Sequence, residues 1–357
     1  MNRPFPASPL SVVLVGCGAV SQLFYAPTLR VLAETGELRV AALVDPSGPA
    51  REKLREDFPH ARLLGALEEI EPGEACLAII ASPPKFHRAQ TEAALAAGLH
   101  VLCEKPMAAD AAECEAMIAA AVRADRHLAV GHYKRFMPAH RAVKQFIEQQ
   151  TFGPLRSLEI VEGGKFGWPA ASDSFFRKEQ TPGGVLLDIG VHVLDLVGWW
   201  LGEPATFSYA DDARDGLEAN CLVSARFSGG ATARIRLSRD WATPNCYVFR
   251  FERATIHSRV NASNQLELTF DGVPMTFAAE LRDPLPAAPV APSQPLSTNA
   301  QSFIHQLVDV CTAIRESRAP AITGEDGLGA VRWIEQCYAR REILPERWQA
   351  SLTHHLR

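Results

Sequence analysis

The sequence predicts an α/β chain, with a doubly wound parallel sheet at the N-terminus followed by a second domain built on an antiparallel sheet. Three observations carry this. The first third alternates short β-branched runs with longer amphipathic stretches and has no hairpin signal between them, the pattern of parallel strands joined by crossover helices. A glycine-rich turn, Gly16-Cys17-Gly18, stands at the first strand-to-helix junction. After Gly153-Pro154 the apolar period drops to two, and short glycine turns separate the runs.

Taken in order, the pattern predicts a buried strand over Leu10–Val15, a helix over Ala19–Thr35, a strand over Leu38–Val44 and a helix over Ala50–Phe58. A strand over Leu77–Ala81 follows, then an alanine-rich helix from about Phe86 to Ala97 that stops at Gly98, where a left-handed cap is expected. His100–Cys103, Ala108–Ala124 and His127–Val130 repeat the strand-helix-strand unit, and one more helix is expected around Pro138–Gln150. The period-two runs are Leu155–Val161, Leu217–Phe227, Ala231–Leu237, Tyr247–Phe251, Gln265–Phe270 and Met275–Ala279, with turns at Ser228-Gly229-Gly230 and Asp271-Gly272. Antiparallel strands can be joined by such tight turns and parallel ones cannot. Asp283–Ser297 holds five prolines and reads as a loop, after which helical patterns resume at Asn299–Ser317 and Glu325–Arg340. The change of pattern divides the chain into a first domain over 1–131 and a second over 132–357, with the last helices able to pack back on the first.

Composition agrees with two folded domains. The chain has 357 residues, 47% hydrophobic and 22% charged, enough apolar material for two cores. The formal net charge is -5 and no basic block occurs, which argues against a nucleic-acid or anionic-membrane partner. No apolar run reaches the ~18 residues a membrane span needs, and Met1–Leu10 has no export signal, so a cytoplasmic protein is expected. The eight cysteines show neither C-x-x-C pairs nor zinc spacing; they read as reduced core thiols, and no metal site is expected.

The residues Gly16-Cys17-Gly18-Ala19-Val20-Ser21 lie between a predicted strand and a predicted helix, the setting in which a glycine fingerprint means dinucleotide binding. Gly16 permits the tight turn and Gly18 lets a pyrophosphate approach the backbone. Ala19 and Val20 open a helix whose first N–H groups can meet the phosphate charge. Ser21 stands where the pattern has a third glycine, so the motif alone is as consistent with a structural turn. Asp45 strengthens it. It ends the second predicted strand, 27 residues past Gly18, where an acid can accept hydrogen bonds from the adenosine ribose and repel a 2′-phosphate. NAD(H) is therefore expected over NADP(H).

A second constellation carries chemistry. Glu104-Lys105-Pro106 closes the predicted strand at His100–Cys103, and the carboxyl ends of such strands face the ligand crevice. Most lysines are simply solvated surface residues, but one placed there can act on a ligand. Much later, the run from Gly183-Gly184 to Asp195 contains Asp188 and His192, which would share one helical face at i and i+4. Such a pair can also be a structural hydrogen bond. Gly190 between them argues against a helix chosen only for stability.

These motifs, together with Ser82-Pro83-Pro84 and His87, Arg135-Phe136, and Gly324-Glu325-Asp326-Gly327-Leu328, resemble the Gfo/Idh/MocA oxidoreductase family over about the whole chain. The resemblance implies an N-terminal Rossmann domain and a C-terminal α+β domain with a large, mostly antiparallel sheet, often used for dimer or tetramer contacts. It also implies roles. Lys105 would hydrogen-bond the reacting hydroxyl or carbonyl oxygen, His192 would be the general acid/base, and Asp188 would sit beside them on the substrate. Ser82, Pro83 and His87 would line the nicotinamide side of the cofactor, with Glu104 and Pro106 fixing the Lys105 backbone and Asp195 supporting the helix. Substrate contacts would come from Arg135, Trp168, Phe176 and Arg177, joined by Tyr133 and Lys134, although the aromatic and arginine residues of that loop could equally pack over a sheet edge.

The implied reaction is NAD(H)-dependent hydride transfer at a sugar, sugar derivative or cyclic polyol. Oxidising an alcohol removes a hydride and a proton, and a nicotinamide accepts only the hydride. A histidine near neutrality can take the proton, and a lysine cation can stabilise the alkoxide-like oxygen. Two alternatives remain: a redox-neutral NAD-dependent glycoside hydrolase or lyase, and a catalytically silent dinucleotide sensor. The joint presence of Lys105, Asp188 and His192 argues against the sensor, which needs none of them.

Overall fold

The computed structural model describes residues 9–167, 169, 181–214, 216–260, 262–281 and 298–344. The chain divides into two compact units. The first takes in the described residues through Arg141 together with 169, 281 and 298–332, and the second the remaining described residues.

In the first unit six strands, β1 (Leu10–Val15), β2 (Leu38–Val44), β3 (Arg62–Leu64), β4 (Leu77–Ile80), β5 (His100–Cys103) and β6 (Leu128–Val130), form one sheet in the order β3-β2-β1-β4-β5-β6. Every neighbouring pair is parallel. The continuous apolar runs have a physical cause, because a sheet covered on both faces needs apolar side chains on both. In β1, Val12 and Leu14 enter one core and Val13 and Val15 the other. Strand β3 was not predicted. It is three residues long and begins on an exposed arginine, so it has no apolar period to read.

The helices of this unit are α1 (Ala26–Glu34), α2 (Gly48–Arg55), α3 (His87–Ala96) and α4 (Ala111–Ala124), followed in the chain by α5 (Pro138–Glu148). Local chemistry fixes their ends. The Ser47 side chain accepts from the Ala50 N–H at the start of α2, and Asp110 does the same from Glu113 at the start of α4. The expected helix over Ala19–Thr35 is interrupted by a π-helical turn at Ser21–Tyr25. Ser21 Oγ donates to the Gly16 carbonyl (2.5 Å) and Gln22 Nε2 to the Cys17 carbonyl (2.7 Å), so this turn is tied to the glycine loop behind it. A π turn holds an extra residue, and Tyr25 at its end is fully buried.

The second unit contains a nine-stranded sheet made of β7 (Leu155–Gly163), β8 (Pro204–Asp211), β9 (Asn220–Phe227), β10 (Thr232–Ser238), β11 (Cys246–Phe251), β12 (Ala254–Arg259), β13 (Gln265–Phe270), β14 (Thr276–Glu280) and β15 (Arg341–Ile343). Its order is β14-β13-β12-β11-β7-β10-β9-β8-β15. The pairs β7–β10 and β8–β15 are parallel and the rest antiparallel, so the sheet is mixed rather than wholly antiparallel. Three strands escaped the sequence pattern. In β12 only Ile256 among the inward residues is large and apolar; β8 opens on proline, and β15 is three exposed residues.

Helix α6 (Val191–Leu201) lies on this sheet, where Trp200 meets Phe249 edge-on at 5.0 Å between ring centroids. Helices α7 (Thr298–Glu316) and α8 (Gly324–Ala339) complete the chain's described elements. Phe303, Ile304 and Leu307 of α7 join Leu14, Tyr25 and Leu29 in one core of the first unit; Leu328 and Val331 of α8 join Val13 and Val130 in the other.

Candidate active site

The first-unit residues converge on the carboxyl ends of β1, β2, β4 and β5. Gly16 has φ of +91°, and a Cβ there would lie 2.6 Å from the Ser82 nitrogen; only glycine lets the turn after β1 pass so close to the end of β4. At Gly18 a Cβ would meet nothing within 4 Å, so this side of the turn is open. Ala19 and Val20 follow as the first helical residues, both half-buried. Asp45 borders the same turn. One carboxylate oxygen accepts from the Cys17 N–H (2.8 Å) and the other from the Ser47 N–H (2.8 Å), which locks the acid against the glycine loop. Arg51 donates to the Asp45 carbonyl.

Lys105 stands just beyond β5, half-buried, with a cis peptide to Pro106. Its backbone N–H donates to Glu104 Oε2 (3.0 Å), and the other Glu104 oxygen accepts from the Tyr25 hydroxyl (2.7 Å). Glu104 is buried. Desolvation pushes its carboxyl above the usual range, opposed by the Tyr25 hydrogen bond and the Lys105 charge. The π turn therefore does structural work for the lysine, since it delivers the hydroxyl that pins Glu104. A Cβ at Gly131 would come 2.8 Å from Glu104 Oε1, so glycine at the end of β6 clears room for that carboxylate.

Ser82 and Pro83 follow β4, Ser82 half-buried and donating to Gln90 (2.5 Å), Pro83 exposed. His87 has no exposed surface. Its Nδ1 lies 2.9 Å from the Pro106 carbonyl oxygen and its Nε2 2.8 Å from that of Ser82, so it ties the Ser82 loop to the Lys105-Pro106 loop from behind. Two facing carbonyls favour the imidazolium, but desolvation outweighs them and lowers the pKa. Arg135 is buried, with its guanidinium 2.9 Å from Asp326, which also accepts from the Thr323 N–H at the start of α8. Tyr133 stacks on Phe303 at 4.7 Å between ring centroids, and Lys134 is 4% exposed. Trp168, Phe176 and Arg177 lie outside the described residues.

In the second unit Asp188 and His192 occupy one continuous helical segment, although not a plain α-helix. A π turn at Leu186–Gly190 carries Asp188, and His192, 7% exposed, lies in the first turn of α6. A Cβ at Gly190 would fall 2.9 Å from Leu237 Cδ1, so this glycine seats the segment on β10. Asp195 is buried on α6.

The sequence reading missed Arg239. Its guanidinium lies 3.0 Å from Asp188, with side chains 8% and 28% exposed respectively, and 5.6 Å over the Phe166 ring. Its only sequence signal is a charge just past an apolar strand. The parallel pairing of β7 with β10 places it, because Gly163, with φ of +142°, allows the two strand ends to approach so closely that a Cβ would sit 2.0 Å from the Ser238 oxygen. Beyond that point the Phe166 N–H donates to the Arg239 carbonyl (2.7 Å). Among the described residues no group of three or more His, Cys, Asp or Glu side chains is gathered as a metal ion would require.

A glycine turn bordered by an acid at the carboxyl end of a parallel sheet, and a lysine two strands away at the same end, define a dinucleotide-dependent oxidoreductase class. Residues 10–132 match the family model described as an oxidoreductase family with an NAD-binding Rossmann fold, and residues 140–257 match the GFO/IDH/MocA C-terminal domain. The chain belongs to the Gfo/Idh/MocA family. It is 30% identical over 222 residues to D-glucoside 3-dehydrogenase of Escherichia coli, covering 58% of each chain. It is also 30% identical over 196 residues to the scyllo-inositol 2-dehydrogenase (NADP(+)) of Bacillus subtilis, covering 55% of this chain and 52% of that one. The chain thus aligns with little more than half the length of these curated relatives. Among solved structures, the aldose-aldose oxidoreductase of Caulobacter crescentus complexed with glycerol superposes with a TM-score of 0.79 at 26% identity, covering 93% of this chain and 97% of that one.

Proposed function

We propose that this chain is an NAD(H)-dependent oxidoreductase that transfers a hydride between the nicotinamide and a hydroxyl or carbonyl carbon of a sugar, sugar derivative or cyclic polyol. The observation that carries this reading is Lys105, fixed through buried Glu104 at the end of a central strand in the same unit as the glycine turn. That turn fits a dinucleotide: the side of Gly18 is open to a pyrophosphate, and Asp45 borders it where a ribose diol would meet a carboxylate. When bound, the nicotinamide supplies the hydride acceptor or donor. Ser82 and Pro83 line its side of the site, and His87 braces the Lys105-Pro106 loop. Lys105 donates to the reacting oxygen, His192 takes or returns its proton, and Asp188, oriented by Arg239, binds a substrate hydroxyl.

The test is a panel of aldoses, inositols and sugar acids with NAD+ and NADP+, read at the NADH absorbance. Net NADH formation with one class of compound is the expected result. Glycosidic cleavage without net NADH would overturn the reading in favour of redox-neutral chemistry.

NAD(H) is expected to bind more tightly than NADP(H), because the Asp45 carboxylate meets the ribose. Asp45→Ala removes charge-assisted bonds worth ~1.5–3 kcal/mol, so the preference should narrow by about tenfold or more. Since both carboxylate oxygens also hold backbone N–H groups, affinity for both cofactors falls, and the ratio is the quantity to measure. A wild-type preference for NADP(H) in a titration contradicts the assignment.

We also place the protein in the cytoplasm as a homodimer or homotetramer joined through the second unit's sheet. The free cysteines fit a reducing compartment, and among the described residues no helix is long and apolar enough to cross a membrane. In β9 Leu222 points away from the face that holds Cys221 and Val223, and it is half-buried, so both faces carry apolar residues to cover. Light scattering at micromolar concentration should report two or four chains; a monomer alone would refute the assembly.

A further inference from the structure

We propose that Glu218, backed by Tyr338, is a positioning residue that sets the orientation of Asp188 and of its partner Arg239; the catalytic part of this inference rests on the function proposed above. The first N–H groups of a helix have no partner within it. Here Glu218 supplies three. Its Oε1 accepts from the Gly184 N–H (2.9 Å) and the Leu186 N–H (3.0 Å), and its backbone carbonyl accepts from Val185 (3.0 Å). The Tyr338 hydroxyl donates to the same Oε1 at 2.8 Å. Glu218 is 1% exposed, and the Arg341 guanidinium lies 3.9 Å from its other oxygen.

The glycine pair ahead of Asp188 is there for this contact. A Cβ at Gly184 would lie 2.1 Å from the Glu218 carbonyl oxygen, and one at Gly183 would lie 2.1 Å from the Tyr338 hydroxyl. The clamp then reaches both halves of the ion pair. Gly184, held by Glu218, accepts the Asp188 N–H (3.1 Å), while the neighbouring Ala219 carbonyl accepts the Arg239 N–H (2.8 Å). One two-residue segment, Glu218-Ala219, thus fixes the backbone of the acid and of the arginine that orients it. The clamp is built within the second unit and the glycine turn belongs to the first, so its loss should act on turnover and leave cofactor binding alone.

The experiment uses the full chain with the substituted residues Glu218→Ala, Glu218→Gln, Tyr338→Phe and, as a control in the same buried cluster, Tyr209→Phe, whose hydroxyl meets Asp211 rather than the helix. Misplacing a substrate-binding group by about 1 Å can cost ~10²-fold, so kcat in Glu218→Ala should fall about 10–100-fold with the NAD(H) Kd unchanged. Glu218→Gln keeps an acceptor oxygen and should recover to within about threefold of wild type, with Tyr338→Phe between them. Tyr209→Phe should lower Tm without lowering kcat. Amide hydrogen exchange over residues 184–188 supplies a readout independent of turnover and should quicken about tenfold or more in Glu218→Ala while β7 and β10 stay unchanged. Unchanged exchange in that segment, or quickened exchange with wild-type kcat, overturns the proposal. Should Glu218→Ala fail to fold, Tyr338→Phe and Glu218→Gln decide it by the same two measurements. Absence of any dehydrogenase activity in the wild type is a different failure, which sinks the proposed reaction and leaves the exchange result to judge the clamp.

Discussion

Replacing His192 with asparagine should lower turnover by about 10²–10⁴ with NAD(H) affinity nearly unchanged. Asparagine keeps a polar planar side chain of similar reach and can hold hydrogen bonds, but it cannot take a proton near neutral pH. The environment favours a clean measurement. His192 is 7% exposed in the first turn of α6, on a segment seated against β10 by Gly190, and the substitution leaves that glycine contact and the Asp188–Arg239 pair in place. A loss confined to kcat, with Tm within a few degrees of wild type, is the signature of a missing proton acceptor; a loss shared with stability would mark a packing defect instead. Wild-type turnover in His192→Asn on a confirmed substrate would make the imidazole structural and pass the role to Asp188 or Tyr133.

How far the sequence could be read depended on whether a feature is local. The parallel sheet was legible because its central strands, such as Leu77–Ile80, are buried along their whole length and so appear as unbroken apolar runs. The glycine turn and Asp45 were legible because the dinucleotide fingerprint is a local pattern of strand, turn and helix. The two π turns were not. In one, Ser21 and Gln22 bond carbonyls of the glycine loop five residues back, which leaves no mark on the apolar period; in the other, Glu218 reaches the glycine pair from 34 residues along the chain. Arg239 was hidden for the same reason, since nothing near it in the chain announces Asp188, and only the β7–β10 pairing brings its loop to the helix. His87 stood in a recognisable motif, yet burial and two carbonyl contacts give it a bracing position that the motif does not spell out.

Lys105→Ala should slow turnover by about 10²–10³, the cost of losing one donor aimed at charge that builds only in the transition state. In the oxidising direction the alcohol oxygen becomes alkoxide-like as its proton passes to His192, before its electron pair forms the carbonyl and the hydride leaves carbon, and an ammonium fixed beforehand stabilises that charge without reorganising. Fixation is what the fold provides. The Lys105 backbone is tied to Glu104, Glu104 to Tyr25, and Pro106 to His87, so the stem begins from a braced loop at the end of β5. Tyr25→Phe would therefore be a milder version of the same lesion, since it loosens the Glu104 carboxylate and leaves the ammonium present. Because Lys105 and His192 are proposed to serve the same oxygen, their effects should not multiply: the double variant should be worse than either single one by much less than the product of the two losses. Independent, fully multiplicative effects would mean that the two residues act in separate steps, and wild-type turnover in Lys105→Ala would remove the lysine from the reaction altogether.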